Sequence, residues 1–209
     1  LQEAIDSVIS QIYNKWELII VLDGVTDSSK KIAEKYSKQL PSKISFIENK
    51  KKRGLQFCAN RVLSISKGKY IIRLDPDDYL DETALLVLTH IIDKNEKIGL
   101  VYPDYFYINE SGEILDLDRR KKIDTEAKLL DLPAHGACTL IRKKYLEEVG
   151  GYSEEFTSQD GHDIWYKFKD KYKISNVSSP LFYYRQHSNS LSRNNDALLD
   201  QRKKIKRKV

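Results

Sequence analysis

Three aspartates fall within four residues at Asp75-Pro76-Asp77-Asp78, and a fourth, Asp23, opens the turn Asp23-Gly24-Val25-Thr26-Asp27. Carboxylates this close repel one another unless a cation or a set of donors compensates them. Oxygen-rich clusters suit Mg²⁺ or Mn²⁺, which would also neutralise the phosphates of a substrate. The same residues equally serve a polar turn in which Asp77 or Asp78 caps the following helix. The D-x-D pattern is short and common, and spacing alone does not separate the two readings. Both clusters directly follow apolar runs, Glu17 to Leu22 (ELIIVL) and Tyr70 to Leu74 (YIIRL). That places them at the carboxyl ends of strands, where ligands bind in open α/β sheets.

The elements that must hold these turns are legible as an alternation. Leu1, Ala4, Ile5, Val8, Ile9 and Ile12 recur at helix spacing. The short run Glu17 to Leu22, rich in branched residues, predicts a buried strand. Asp27, Ser28 and Ser29 can cap a helix carrying Ile32, Ala33, Tyr36 and Leu40, which Pro41 stops. A strand over Ile44 to Ile47 and a helix from Leu55 to Ser66 follow, then the strand Tyr70 to Leu74 and a long helix around Ala84 to Ile92. Strand and helix alternating in these steps predict an open α/β sheet with right-handed crossovers. Beyond it, Leu100 to Ile108 and Ala137 to Ile141 read as strands, Arg119 to Lys122 as a loop, and Lys143 to Val149 and Asp160 to Lys169 as helices.

Composition narrows the class. The 209 residues suffice for one core, and no apolar run approaches the length of a membrane-spanning helix. The two cysteines, Cys58 and Cys138, form no C-x-x-C pair, which excludes a disulfide framework or structural zinc site and suits a reducing compartment. The net charge of +5 is a property of the end of the chain. Six basic residues lie between Arg202 and Lys208, leaving 30 basic against 31 acidic residues elsewhere. A near-neutral body with a basic tail (201–209) differs from a nucleic-acid-binding domain, so no nucleic-acid partner is expected. The tail reads either as a solvated charge run or as a contact for an anionic membrane surface, at about 1 kcal/mol per basic residue.

Longer motifs go further. Leu1 to Ser29 resembles the opening of family 2 glycosyltransferases, with Leu1, Ile5, Ser7, Gln11, Tyr13, Trp16, Glu17, Asp23, Gly24, Thr26, Asp27 and Ser29 in its pattern. Gly54 with Asn60, and Gly68-Lys69-Tyr70-Ile71, are similar to two further elements of that family, and Asp75-Pro76-Asp77-Asp78 to its metal-binding D-x-D-D. Gly150 to Phe156 and Gln159 to Trp165 resemble its G-G-F-x-E-x-F and Q-D-G-x-D-x-W elements, and Tyr184 to Ser190 its Y-R-x-H-x-x-S. Two departures stand out. The family's first strand and its V-S-V-I-I-P-x-Y-N motif are missing, and Leu22 stands where many members carry an aspartate before Asp23.

The resemblance implies a GT-A-like α/β fold, an open twisted, mostly parallel sheet flanked by helices, with a nucleotide-binding half over about 1–110 and an acceptor half over about 111–200. It implies a metal-dependent, inverting transfer from a nucleoside-diphosphate sugar, with a UDP-sugar favoured. The acceptor would be a saccharide or lipid-linked hydroxyl of cell-surface polysaccharide or glycolipid synthesis. Site residues carry over by motif position. Asp160 is the base, with Asp163 as alternative; Asp23, Arg53, Asp75 and Arg185 serve the donor nucleotide. Asp75, Asp77 and His187 serve Mg²⁺ or Mn²⁺, and His135 and Asp78 face the acceptor. The implied location is cytoplasmic, or peripheral at the inner membrane face. Two other classes compete: a nucleotide-sugar-binding module without turnover, and a nucleotidyltransferase. The latter would want a Gly-rich phosphate loop with a lysine near its start, which the chain lacks. Without the family's first strand, Ile19 to Val21 would present an unpaired apolar edge.

Overall fold

The structure, a computed structural model, describes residues 1–120, 136–156, 158–186 and 202–205. Its first layer alternates as the periodicities require. Helix α1 (Gln2–Ile9) precedes β1 (Leu18–Asp23), α2 (Ser29–Gln39), β2 (Ile44–Asn49) and α3 (Leu55–Ile65). Strands β1 and β2 pair in parallel, Leu18 opposite Ile44 through Asp23 opposite Asn49. Ile20 and Leu22 bury against Ala33 and Tyr36 of α2 and Ile5 of α1. The turn into α2 uses Asp27, whose Oδ1 accepts the Ser29 N–H at 2.9 Å. Buried Gln11 ties α1 to the next layer. Its Nε2 donates to the Asp81 carbonyl at 2.6 Å and its Oε1 accepts the Leu85 N–H at 2.9 Å, capping the helix that starts there.

The second layer is built around one long strand. The chain continues through β3 (Tyr70–Ile71), β4 (Tyr79–Leu80), α4 (Ala84–Asp93), β5 (Ile98–Ile108), β6 (Ile114–Asp118), β7 (Leu140–Arg142), α5 (Lys143–Glu148), α6 (Asp160–Lys169) and β8 (Lys173–Arg185). The order is β3-β7-β5-β8-β4, with β6 added on β5. The central β5 is apolar and buried over most of its length, as a strand covered on both faces must be. Leu88 and Ile92 of α4 pack on Val101 and Tyr105, and Ile164 and Phe168 of α6 on Leu100 and Tyr102.

The sequence pattern predicts a mostly parallel sheet, whereas the pairings are mixed. Among the described residues only β1–β2 and β5–β8 are parallel. β3, β4, β6 and β7 all pair antiparallel. Of the antiparallel pairs only β5–β6 is a short return; β3–β7, β4–β8 and β5–β7 join strands far apart in the chain. The expected edge at β1 is present: among the described residues its only strand partner is β2. On its other side lies a cleft of about 950 Å³ bordered by Ile19 and Val21 of β1 and by residues 70–75.

The basic tail departs from its expectation at its start. Residues 202–205 are helical, Arg202 is 6% exposed and Ile205 fully buried. Arg202 Nε donates to Gln159 Oε1 at 2.7 Å, so the segment packs on the body instead of standing in solvent.

Candidate functional site

Asp23 is the last residue of β1, and its carboxylate organises the loop after β2. It accepts hydrogen bonds from Asn49 Nδ2 at 2.9 Å, the Arg53 N–H at 2.9 Å and the Gly54 N–H at 2.9 Å. Burial works against the charge, but these donors outweigh it and hold the carboxyl below its usual value. Gly24, at φ +65°, lets the two turns meet, since a Cβ there would sit 2.5 Å from the Lys52 backbone nitrogen. The loop thus presents Arg53, stacked 3.9 Å over the Phe57 ring, at the carboxyl edge of β1 and β2.

The acidic turn after β3 is split by burial. Asp78, expected to face the acceptor, is 1% exposed. Its Oδ1 accepts the Arg185 N–H at 2.8 Å, while Oδ2 has no hydrogen-bond partner among the described residues. Burial pushes this carboxyl up to about 8. Asp75 is raised as well, chiefly by burial, with Arg73 opposing and Asp160 and Asp77 reinforcing. Arg185, expected at a phosphate, spends its fork on the protein. It donates to the carbonyls of Asp77, Asn109 and Glu110 at 2.8, 2.9 and 2.9 Å and pairs with Glu3. That geometry holds the Asp77 turn against β8.

Asp160 is the first residue of α6 and is 7% exposed. The preceding Gln159 is left-handed, at φ +64°, which turns the chain sharply into the helix. Arg73 brings the two acidic regions together: its Nη1 lies 2.6 Å from Asp75 Oδ1 and its Nη2 3.4 Å from Asp160 Oδ2. Asp163 is placed otherwise. Also buried, it accepts from the Ser153 N–H and Oγ at 3.1 and 3.0 Å and from Lys167 at 2.9 Å, stitching the Gly151–Phe156 turn to α6. Fully engaged, it has the surroundings of a structural carboxylate. His135 and His187 lie outside the described residues.

With this geometry in view, the comparisons decide the family. The model of "Glycosyl transferase family 2" matches residues 1–150. The chain belongs to glycosyl transferase family 2. It is 28% identical over 200 residues to an uncharacterized glycosyltransferase of Methanocaldococcus jannaschii, covering 92% of this chain and 69% of that one. It is 27% identical over 193 residues to the minor teichoic acid biosynthesis protein GgaB of Bacillus subtilis, covering 88% of this chain and 21% of that one. Among solved structures, Staphylococcus aureus TarS in complex with UDP superposes with a TM-score of 0.69 at 20% identity, covering 88% of this chain and 56% of that one. The mannosyltransferase PcManGT of Pyrobaculum calidifontis, in complex with GDP-Man and Mn²⁺, gives 0.70 at 14%, covering 90% and 54%. At these identities the structural likeness is one of fold, and that fold is GT-A-like.

In this glycosyltransferase no three metal-ligating side chains among the described residues form a ready-made cage. The donor set nonetheless fits a hard divalent ion. Asp75 and Asp77 offer oxygens from one turn, and Mg²⁺-type ions are commonly held by one or two carboxylates plus substrate phosphates. Burial raises Asp75, with Asp160 and Asp77 adding to the effect and Arg73 opposing it, and the buried Asp78 Oδ2 has no hydrogen-bond partner among the described residues.

Sequence reading missed Arg73, although a signal was present: an arginine inside the apolar run Tyr70 to Leu74 is buried only when paired. It missed Gly136 too. A Cβ there would stand 2.3 Å from Asp160 Oδ2 and 2.5 Å from Arg73 Nη2, so only a glycine lets the pair sit where it does.

Proposed function

We propose that this glycosyltransferase moves a sugar from a nucleoside-diphosphate sugar to a hydroxyl of a saccharide or lipid-linked acceptor, in cell-surface polysaccharide or teichoic-acid-type synthesis, with inversion. The observation that carries the reading is the Arg73 bridge, which sets a donor-side carboxylate and a second carboxylate on α6 within the span of one guanidinium. The acceptor oxygen forms its bond to the anomeric carbon as the bond from that carbon to the diphosphate oxygen breaks, the electron pair leaving with the diphosphate. The acceptor hydroxyl, with a pKa far above 7, needs a base on the face opposite the leaving group. Asp160 takes that proton, and direct displacement inverts the centre. Asp163 is not assigned the role, because its oxygens are held by Ser153 and Lys167.

On the donor side, the loop shaped by Asp23 and carrying Arg53 receives the nucleotide. Arg185 contributes by holding the Asp77 turn. Mg²⁺ or Mn²⁺, held by Asp75 and Asp77, would supply Lewis-acid stabilisation of the diphosphate. A UDP-sugar is favoured, TarS being a solved neighbour with UDP, and GDP-mannose is the alternative from PcManGT. No helix of the described residues is long and apolar enough to cross a membrane. We place the enzyme in the cytoplasm or peripherally at its membrane face, where exposed Lys203 and Lys204 would meet anionic lipid.

The test is release of nucleoside diphosphate from UDP-glucose, UDP-N-acetylglucosamine and GDP-mannose with Mn²⁺. Turnover with one donor supports the enzyme, and Asp160→Asn should reduce it by about 10²-fold or more with donor affinity kept. Binding without release would favour a nucleotide-sugar-binding module.

A further inference from the structure

Arg73 is unusual in its setting. It follows Tyr70, Ile71 and Ile72 in the run leading into the acidic turn, its side chain is largely buried, and its Nε has no hydrogen-bond partner among the described residues. An unpaired buried donor weakens a fold, so stability alone does not account for the residue. Its two Nη atoms contact carboxylates from elements 85 positions apart in the chain, and unequally: 2.6 Å to Asp75 and 3.4 Å to Asp160. The backbone reinforces the placement. The Cys138 N–H donates to the Arg73 carbonyl at 2.9 Å, which lays residues 136–138 beside Arg73 and sets Gly136 against both Nη2 and Asp160 Oδ2.

We propose that Arg73 is the positioning residue for Asp160, a conclusion that rests on Asp160 being the base. The guanidinium is anchored by its short contact to the donor-side turn and orients the Asp160 carboxylate through the longer one. The asymmetry suits a base. A tight two-pronged pair would occupy the lone pairs that must receive the acceptor proton, whereas one long contact fixes the carboxylate and leaves proton-accepting capacity. Gly136 closes the cradle from the other side. Donor-side turn and base thus share one rigid element, so that the carboxylate faces the position where the acceptor oxygen must attack.

A double-mutant cycle tests this, using the donor of the three above that turns over fastest and UDP with Mn²⁺ as binding probe. Arg73→Met is expected to lower kcat about 30-fold or more, beyond any change in KM for the nucleotide sugar or in Kd for UDP that follows from freeing Asp75. In the Asp160→Asn background the same change should cost less than threefold, because its effect passes through Asp160. Arg73→Lys, which keeps one charge but reaches one carboxylate at a time, should fall between; it carries the same cycle if Arg73→Met fails to fold. An Arg73 effect that persists undiminished with Asp160→Asn, or appears as weakened UDP binding with kcat kept, overturns the positioning role while leaving the base intact. Wild-type turnover in Asp160→Asn alone overturns the base reading itself, and this inference with it.

Discussion

Replacing Gly136 with alanine is the smallest change that reaches the centre of the proposed site. The added methyl would lie 2.3 Å from Asp160 Oδ2, 2.8 Å from its Cγ and 2.5 Å from Arg73 Nη2, where ordinary contact begins at 3.4 Å. Carboxylate and methyl must therefore separate by about 1 Å, as van der Waals contact requires. Overpacking of this kind costs about 1–3 kcal/mol. For a chain of this size that lowers Tm by roughly 2–12 °C. Displacing a reacting group by about 1 Å costs on the order of 10²-fold in rate. The nucleotide loop at Asp23 and Arg53 belongs to another element and should be untouched. Gly136→Ala is therefore expected to bind UDP as wild type, melt a few degrees lower and lose about 10²-fold in turnover. Initial rates of nucleoside diphosphate release, UDP calorimetry and thermal unfolding measure the three. Wild-type turnover in this variant would refute the placement of Asp160 against Arg73 and Gly136.

His162, 3% exposed, is held down to about 4 by burial, with Arg202 adding to the effect. Its folded value lies below the unfolded 6.5, so its contribution is complete above pH 6.5 and is lost as pH falls towards 4, by up to about 3 kcal/mol. Asp78, raised to about 8, has the opposite sign and loses stability as pH rises. The difference in denaturant stability between wild type and His162→Gln isolates the histidine; a pH-independent difference would contradict it. Asp163→Ala should destabilise by about 3 kcal/mol, since Lys167 and the Ser153 donors lose a buried partner; unchanged Tm with abolished turnover would instead give Asp163 the catalytic role. Asp77→Asn should abolish Mn²⁺-dependent UDP binding with the circular dichroism unchanged, and undiminished metal-dependent affinity would remove the turn from the metal site. The unpaired side of β1 predicts that this 209-residue chain, expressed alone, is poorly soluble and weak in UDP binding. A soluble monomer of full affinity, by light scattering and calorimetry, would show that β1 is not an open edge.

The parts of the fold visible in the sequence are those whose causes are local. β1, α2, β2, α3, α4 and α6 carry their own periodicity, caps and stops. β4 and β6 do not: one has two residues, and the other is largely exposed and held by its pairing with β5. The strand expected from Tyr70 to Leu74 pairs only over Tyr70–Ile71, because the chain leaves β7 to bring Arg73 towards Asp160. Motif order marks Asp23, Asp75, Asp77 and Asp160 as candidates, since their spacing is read along the chain. It was silent on what each carboxylate touches. That Arg185 would meet carbonyls, that Asp78 would lie buried, and that Asp163 would be tied to Lys167 depend on contacts made across the fold.

The seating of Arg202 on Gln159 gives the end of the described chain a mechanical meaning. Gln159 is held left-handed, a conformation costing a non-glycine residue roughly 1–2 kcal/mol and kept only where its surroundings enforce it. Arg202 bonds the side chain of that residue, and the next residue along is Asp160. A cut, an immobilising tether or a bulky tag applied at this end would act on a left-handed turn one residue before the proposed base. A shortened protein chosen because residues beyond 200 read as a charged appendage would lose the Arg202–Gln159 contact beside a left-handed turn of the proposed site.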